Sequence, residues 1–532
     1  MVLSATQFLM VLDQSVMNVS ISQLVDDFDT DVSSIQGVIT LYSLVMAALM
    51  ITGGKIGDIV GRRRALRIGL VIYAAGSALT ALAWSVPSLA LGWSVLEGVG
   101  AALVMPAMAA LVAGNYAGRA RVVAYGVLGG TAGAGIAIGP ILGGFATTNL
   151  TWRVVFVGEV MVAIGILAAS SWVADAPRAD RKPKLDVVGA VLSAVGISIC
   201  VLGILQASTW GWLTPVNSPV EPFGFAATPF VVAIGVAILS LFRLWQAHRE
   251  RVGRDPLVRF QLFSIPTFRS GLTTFLAQNT ILMGIFFTIP LFLQIVIGLD
   301  ALETGIRMLP TSIAMLITSF SGGLLLRYLS PRSIVRIGLV LVVLAASILM
   351  GTIGPMLDGL AFGIGMGLLG AAMGLIASQL GNIVLSSVDP ESRSEAGGLQ
   401  YTAQQLGSSV GVALIGAIVL TSLAGLFAAR IADDERIPAE LTAAVELRLA
   451  SGSSFVPSRT VEELATAAGV PVDEVTALVE SYEESQLAAL RTGLLAVAAI
   501  GSLSMLATGG LPARRPDDGH PPDQRSKHVA TN

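Results

Sequence analysis

Gly54-Lys55-Ile56-Gly57-Asp58-Ile59-Val60-Gly61-Arg62-Arg63-Arg64 stands between two apolar runs, 34–54 and 66–84. A membrane helix needs about 20 mostly apolar residues, and each flanking run is of that order. The loop joining them is short and cationic, the mark of a connection kept on the cytoplasmic side. Its glycines permit a tight turn, and Asp58 can pair with the arginines or face a helix N-terminus.

Working outward from this loop, the chain yields fourteen such runs: 3–24, 34–54, 66–84, 88–114, 122–147, 154–174, 187–207, 226–246, 271–298, 304–327, 334–352, 358–386, 399–426 and 490–510. Lys and Arg gather after the even-numbered runs: Arg119 and Arg121; Arg178, Arg181, Lys182 and Lys184; Arg249, Arg251, Arg254 and Arg259; Arg332 and Arg336. The tail adds Arg514, Arg515, Arg525 and Lys527, whereas the first opposite loop is acidic, with Asp26, Asp27, Asp29 and Asp31. The alternation places both termini in the cytoplasm, which requires an even number of spans.

Composition excludes the soluble classes. Of 532 residues 13% are charged and 54% hydrophobic, whereas soluble domains carry about 25% charged residues. A net charge of −3 argues against a nucleic-acid partner. Cys200 is the single cysteine, so no intrachain disulfide or cysteine metal cluster can form. His248, His520 and His528 all lie outside the apolar runs. No HExxH or GxxxxGK[ST] string occurs, so neither that metalloprotease chemistry nor a nucleotide-driven pump is expected. No cofactor and no metal are expected. The first run has no basic flank before it and no small-residue cleavage site after it, so a cleavable signal is not expected.

The loop Gly54–Arg64 resembles the GxLxDxxGRRR loop of the major facilitator superfamily, carried here by Gly54, Asp58, Gly61, Arg62 and Arg63. Gly135-Ile136-Ala137-Ile138-Gly139-Pro140-Ile141-Leu142-Gly143-Gly144 resembles the GxxxGPxxGG string that marks antiporters within it. Glycines four apart share one helix face and admit a neighbour closely, and Pro140 interrupts the helical hydrogen bonding and bends the helix. Leu12-Asp13-Gln14-Ser15-Val16-Met17-Asn18-Val19 resembles the LDxTxVNVA signature of the fourteen-span drug:proton antiporters, and Trp152-Arg153-Val154-Val155-Phe156 their WRWxF stretch. The chain departs from that family at Ser94, where an arginine is usual, at Glu97 in place of glutamine, and at Glu159 in place of asparagine.

The resemblance implies an all-α integral membrane protein of the major facilitator fold, with two six-helix bundles and two inserted helices. The expected divisions are a first bundle over 1–175, an inserted pair with its linker over 176–260, a second bundle over 261–512, and a disordered cytoplasmic tail over 513–532. The acidic stretch 427–489 is expected to form two or three short surface helices outside the membrane, with Thr460 as one cap and Pro471 opening another. Gly363, Gly367, Gly370 and Gly374 echo the small-residue stripe of the fourth run, as internal repeats of transporters do.

An ionisable residue inside a membrane span defaults to a functional hypothesis, since its insertion costs at least about 2.5–3.5 kcal/mol. Asp13 and Glu97 lie near the middle of their runs and Glu159 nearer the outer end, which makes these three the proton-coupling candidates. The resembling fold puts the helices of the first two along a central cavity. Desolvation and a like-charged neighbour raise a carboxyl pKa by about 3–5 units, enough to bind protons near neutral pH. Tyr42, Trp93, Gln278, Asn279, Gln404 and Gln405 are polar or aromatic residues within apolar runs and are the candidate substrate contacts. The expected partners are a small, amphipathic or cationic molecule, protons and membrane lipid, and the expected form is a monomer.

Overall fold

A computed structural model describes residues 1–30, 32–116, 118–175, 184–215, 218–389, 392–438, 441–442, 445 and 455–513. Arg178, Arg181, Lys182, Asp31, the tail beyond 513 and part of the 427–489 stretch lie outside the described residues. The described chain is helical, and each of the fourteen apolar runs holds one principal helix. The first eight are α1 (Val2–Val19), α2 (Val32–Val60), α3 (Arg62–Ala81), α4 (Val86–Asn115), α5 (Gly118–Asn149), α6 (Arg153–Ala169), α7 (Val187–Trp210) and α8 (Ala227–Arg251). The rest are α9 (Pro266–Pro290), α10 (Ala301–Leu325), α11 (Pro331–Thr352), α12 (Gly359–Ser386), α13 (Arg393–Asp433) and α14 (Val472–Ala507).

Twelve of these are long and apolar enough to cross a membrane by length and composition alone. The other two are α1, whose apolar stretch Val2–Met17 is short, and α3, which opens with Arg62, Arg63, Arg64 and Arg67. The count of fourteen is compatible with both.

Local chemistry sets the ends. Gly61 alone separates α2 from α3, at φ 100°, a left-handed conformation that favours glycine. Asp186, Asp300, Ser330 and Asp358 accept hydrogen bonds from the first free N–H groups of α7, α10, α11 and α12, which offsets the orphaned donors of each helix start. Chain breaks differ from the sequence expectation in three places. The first run splits at Ser20, and a short helix Ile21–Asp27 follows. Within the acidic stretch, α13 runs on to Asp433 and α14 begins at Val472 behind Pro471, leaving one short described helix, Ser458–Ala467. That helix is preceded by Pro457, so Thr460 lies inside it rather than capping it.

The helices form two halves with the α7–α8 pair between them. In the first half α1 packs on α5 and α3 on α4 and α6; in the second α9 packs on α13, and α12 on α10 and α11. The halves meet where α5 packs on α10 and α2 on α13, and α7 bears on both α2 and α13.

The close approaches across this seam fall toward the end that carries the basic loops. Gly126 and Gly130, early in α5, stand against Ser319 and Leu316. Gly397 and Gly398, early in α13, stand against Pro106 and Met50. Arg393 Nη1 donates to the Ala113 carbonyl at the end of α4. Farther along α5, Gly135, Gly139 and Gly143 turn to α1 instead, meeting Val11, Ser15 and Val16.

Candidate functional site

The three carboxylates chosen from sequence come together. Asp13 on α1, Glu97 on α4 and Glu159 on α6 each offer an oxygen within 4.8 Å of the others. Their residue exposures are 0%, 0% and 2%. Glu159 is therefore a buried member of the cluster and not a solvated group, because α6 packs against α3, whose Tyr73 donates to it. The cluster also lies inside the first half and not bare on a cavity wall.

Each carboxyl is held by one oxygen. Trp93 Nε1 donates to Asp13 Oδ1 at 2.7 Å. Thr80 Oγ1 donates to Glu97 Oε1 at 3.2 Å. Tyr73 Oη and Ser77 Oγ donate to Glu159 Oε2 at 2.9 and 3.2 Å. The other oxygens, Asp13 Oδ2, Glu97 Oε2 and Glu159 Oε1, have no hydrogen-bond partner among the described residues, and neither has the buried Tyr42 hydroxyl. Every donor to the cluster is neutral, and none of the ion pairs among the described residues reaches it.

The backbone makes room for this crowding. Ala90–Glu97 of α4 is π-helical, a wider turn that is frequent at functional sites. Gly76 of α3 faces it, where an added Cβ would stand 2.7 Å from Glu97 Cγ and 2.8 Å from the Gly92 carbonyl oxygen. Unpaired charge in a dry interior is strongly unfavourable, and two unit charges about 5 Å apart repel by about 3 kcal/mol at an effective dielectric of about 20. With neutral donors alone, nothing among the described residues offsets carboxylate charge in the cluster.

The substrate candidates divide. Tyr42 and Trp93 are each 1% exposed and stack at 4.5 Å with 10° between their planes. They form a wall over Asp13 rather than an open surface. Gln278, Asn279, Gln404 and Gln405 belong to α9 and α13 in the other half. Gln278 Nε2 donates to the Met373 carbonyl at 3.5 Å, and Asn279 Nδ2 to the Phe275 carbonyl of its own helix. Gln405 Nε2 and Gln14 Nε2 both approach Met46 Sδ, at 4.0 and 3.6 Å. Met46 is thus a point where polar groups of the two halves converge.

The motif residues have separate tasks. Arg62 Nη2 lies 3.6 Å from Asp58 Oδ1, and Arg63 Nη1 donates to the Val173 carbonyl at the end of the first half. The helix α5 continues through Pro140 to Asn149, and Gly144 is buried in it. Arg153 Nη1 pairs with Asp27 Oδ2 at 2.7 Å.

The sequence profile of the Major Facilitator Superfamily matches residues 3–412. The chain belongs to that superfamily. It is therefore a multi-pass membrane transporter and not an enzyme. It is 28% identical over 83% of its length to the probable actinorhodin transporter of Streptomyces coelicolor, covering 76% of that protein. It is 27% identical over 79% of its length to the tetracenomycin C resistance and export protein of Streptomyces glaucescens, covering 75% of it. To the multidrug efflux pump LfrA of Mycolicibacterium smegmatis it is 26% identical over 96% of its length, covering 94%. Among solved structures, the proton:xylose symporter XylE superposes with a TM-score of 0.56 at 13% identity, over 97% of this chain and 96% of that one. This is a likeness of fold alone.

Three residues that hold the cluster, Tyr73, Ser77 and Thr80, escaped the sequence reading. The signal was present: polar groups at intervals of four and three repeat on one face of an otherwise apolar helix.

Proposed function

We propose that this transporter exports small amphipathic or cationic drug-like molecules across the cytoplasmic membrane in exchange for protons, by alternating access. The observation that carries the reading is the buried group Asp13–Glu97–Glu159, served only by neutral donors. Three carboxyls so close cannot all stay ionised in a dry interior, so the cluster loads protons and gives them up when the conformation changes. The antiporter-like string Gly135–Gly144 packs on the helix bearing Asp13, and relatives named for tetracenomycin C export and multidrug efflux support the direction of transport.

The basic loops set both termini in the cytoplasm. On that orientation the close approaches described above close the seam toward the cytoplasm. The units 1–175, 176–260 and 261–512 then serve as moving half, intervening pair and second moving half. The chain acts as a monomer in contact with membrane lipid.

A second reading has its own support. Two of the relatives are named for single antibiotics, actinorhodin and tetracenomycin C, which favours one native metabolite as cargo.

Dye-cation uptake into inside-out vesicles under an imposed pH gradient tests both readings. Uptake that collapses with a protonophore and in Asp13→Asn supports proton-coupled drug export. Full activity in Asp13→Asn refutes the coupling assignment. Gradient-independent silence across a broad dye panel rejects broad drug export and favours the narrow cargo.

A further inference from the structure

The first turn of α13 is gripped from two sides, and one grip comes from the inserted pair. At the basic-loop end of that pair, Asp186, 1% exposed, accepts from Gly189 N–H at 3.0 Å, Trp245 Nε1 at 3.1 Å and Gln246 Nε2 at 2.8 Å. Arg249 Nη1 stands 3.4 Å from it. Gln246 Oε1 in turn accepts from the Leu257 N–H at 2.7 Å, and Arg249 Nη2 donates to the Asp255 carbonyl at 2.8 Å. Leu257 and Val258 are buried. The chain leaving α8 is therefore fixed in place before it reaches Arg259.

Arg259 then clips α13. Its backbone N–H donates to Glu395 Oε1, its Nε lies 3.4 Å from Glu395 Oε2, and its Nη2 donates to Ser392 Oγ at 2.7 Å. Glu395 is 2% exposed. Between these two residues stands Ser394, whose hydroxyl accepts from Arg62 Nε of the other half at 2.8 Å.

We propose that Arg259 and Glu395 are positioning residues of the transport gate. They hold residues 392–395 where Ser394 meets Arg62, and so weight the carrier toward the state closed at the basic-loop end. This rests on the alternating-access reading above. The coupling is mechanical. Because α7 bears on both α2 and α13, α13 cannot leave α2 with the clip intact unless α7 leaves as well. Opening at this end therefore breaks either the clip or the packing of α7. A buried carboxylate that loses its partner is strongly destabilised, so removing Arg259 releases the turn. A contact biases an equilibrium only when it differs between the two states, and the bias proposed here requires that opening break the clip and not the packing of α7.

The test uses full-length protein with Cys200→Ser and a reporter thiol from Ala109→Cys. Ala109 is buried on α4, and an added Cβ at Gly397 of α13 would stand 3.6 Å from its methyl. Labelling by a membrane-impermeant maleimide in inside-out vesicles reads the opening of the seam. Arg259→Ala and Glu395→Gln are each expected to raise the labelling rate by roughly tenfold, with Arg259→Lys restoring part of the protection. Thermal midpoints in detergent are measured in parallel. A wild-type thiol whose labelling responds to substrate, with variants that label no faster, overturns the proposal and leaves alternating access standing. Lowered midpoints with unchanged labelling reduce the clip to a structural brace and also overturn it. A wild-type thiol that never responds to substrate or pH gradient removes the alternating-access reading itself.

Discussion

Arg62 Nε donates to Ser394 Oγ at 2.8 Å, tying the start of α3 to the start of α13 across 332 positions of sequence. Beside it, a Cβ added at Gly54 would stand 2.6 Å from the Ser394 carbonyl oxygen. Overpacking of this kind costs about 1–3 kcal/mol, and here separation of the halves relieves it. Gly54→Ala is expected to slow export roughly tenfold while shifting the thermal midpoint little, and Gly54→Val to do so more severely. Initial rates in proteoliposomes, set beside thermal unfolding of the same preparations, check this. A large fall in stability with normal rates contradicts it.

The carboxylate cluster makes a prediction that separates its role from ordinary packing. Removing one charge from three crowded carboxyls relieves repulsion of about 3 kcal/mol per ionised pair, while Glu159→Gln keeps an oxygen for Tyr73 and Ser77 to donate to. The variant is expected to be at least as thermostable as the wild type and to lose gradient-driven transport. Tyr73→Phe, which removes a donor to a buried carboxyl, is expected to cost about 1–3 kcal/mol. Unfolding midpoints of the two variants in one detergent should move apart, with Glu159→Gln the higher.

Much of this was legible in the chain because bilayer physics writes it in bulk composition. Fourteen apolar runs and the alternation of basic loops through the first eleven of them follow from burying side chains in hydrocarbon, and every run became helical, the first with a break at Ser20. Asp13 and Glu97 stood out because a charge inside such a run is costly. The convergence of Glu159 on them was not legible, since facing depends on how α6 packs on α3 and not on how far along its run the residue lies. The clip of Arg259 on Glu395 was hidden for a different reason. Arg259 read as one more loop cation, and Glu395 lay just ahead of the run 399–426, beyond the stretch where a charge looks out of place. Tyr42 and Trp93 were expected as substrate contacts and are buried against each other. The stack that buries them depends on the bundle and not on local spacing.

The glycine string of α5 carries a compensation test. A Cβ at Gly139 would collide with Ser15 Cβ and Oγ of α1, and Ser15 Oγ donates to the Ile136 carbonyl at 3.2 Å. Gly139→Ala is expected to destabilise by about 1–3 kcal/mol and to impair transport. Ser15→Gly gives up the interhelix hydrogen bond, worth about 0.5–1.5 kcal/mol, but clears the space. In the double variant the measured loss should be smaller than the sum of the single losses. Additive losses across the cycle exclude direct contact as the cause.

At the opposite end, Asp27 Oδ2 accepts from both Trp152 Nε1 at 2.8 Å and Arg153 Nη1 at 2.7 Å. The Arg153 guanidinium lies 4.4 Å from the Trp152 ring centroid and donates through Nη2 to the Ala83 carbonyl at 3.0 Å. One planar cation thus joins the start of α6 to the ends of the short helix after α1 and of α3. Lysine carries the charge but cannot donate in two fixed directions while lying flat on the indole. Arg153→Lys is therefore expected to recover little of what Arg153→Ala loses, about 1–2 kcal/mol in both cases. Asp27→Asn keeps an acceptor for Trp152 and is expected to cost less. Thermal unfolding of the three variants gives the order. A lysine variant as stable as the wild type assigns the contact to charge alone and removes the role of the fork and the stack.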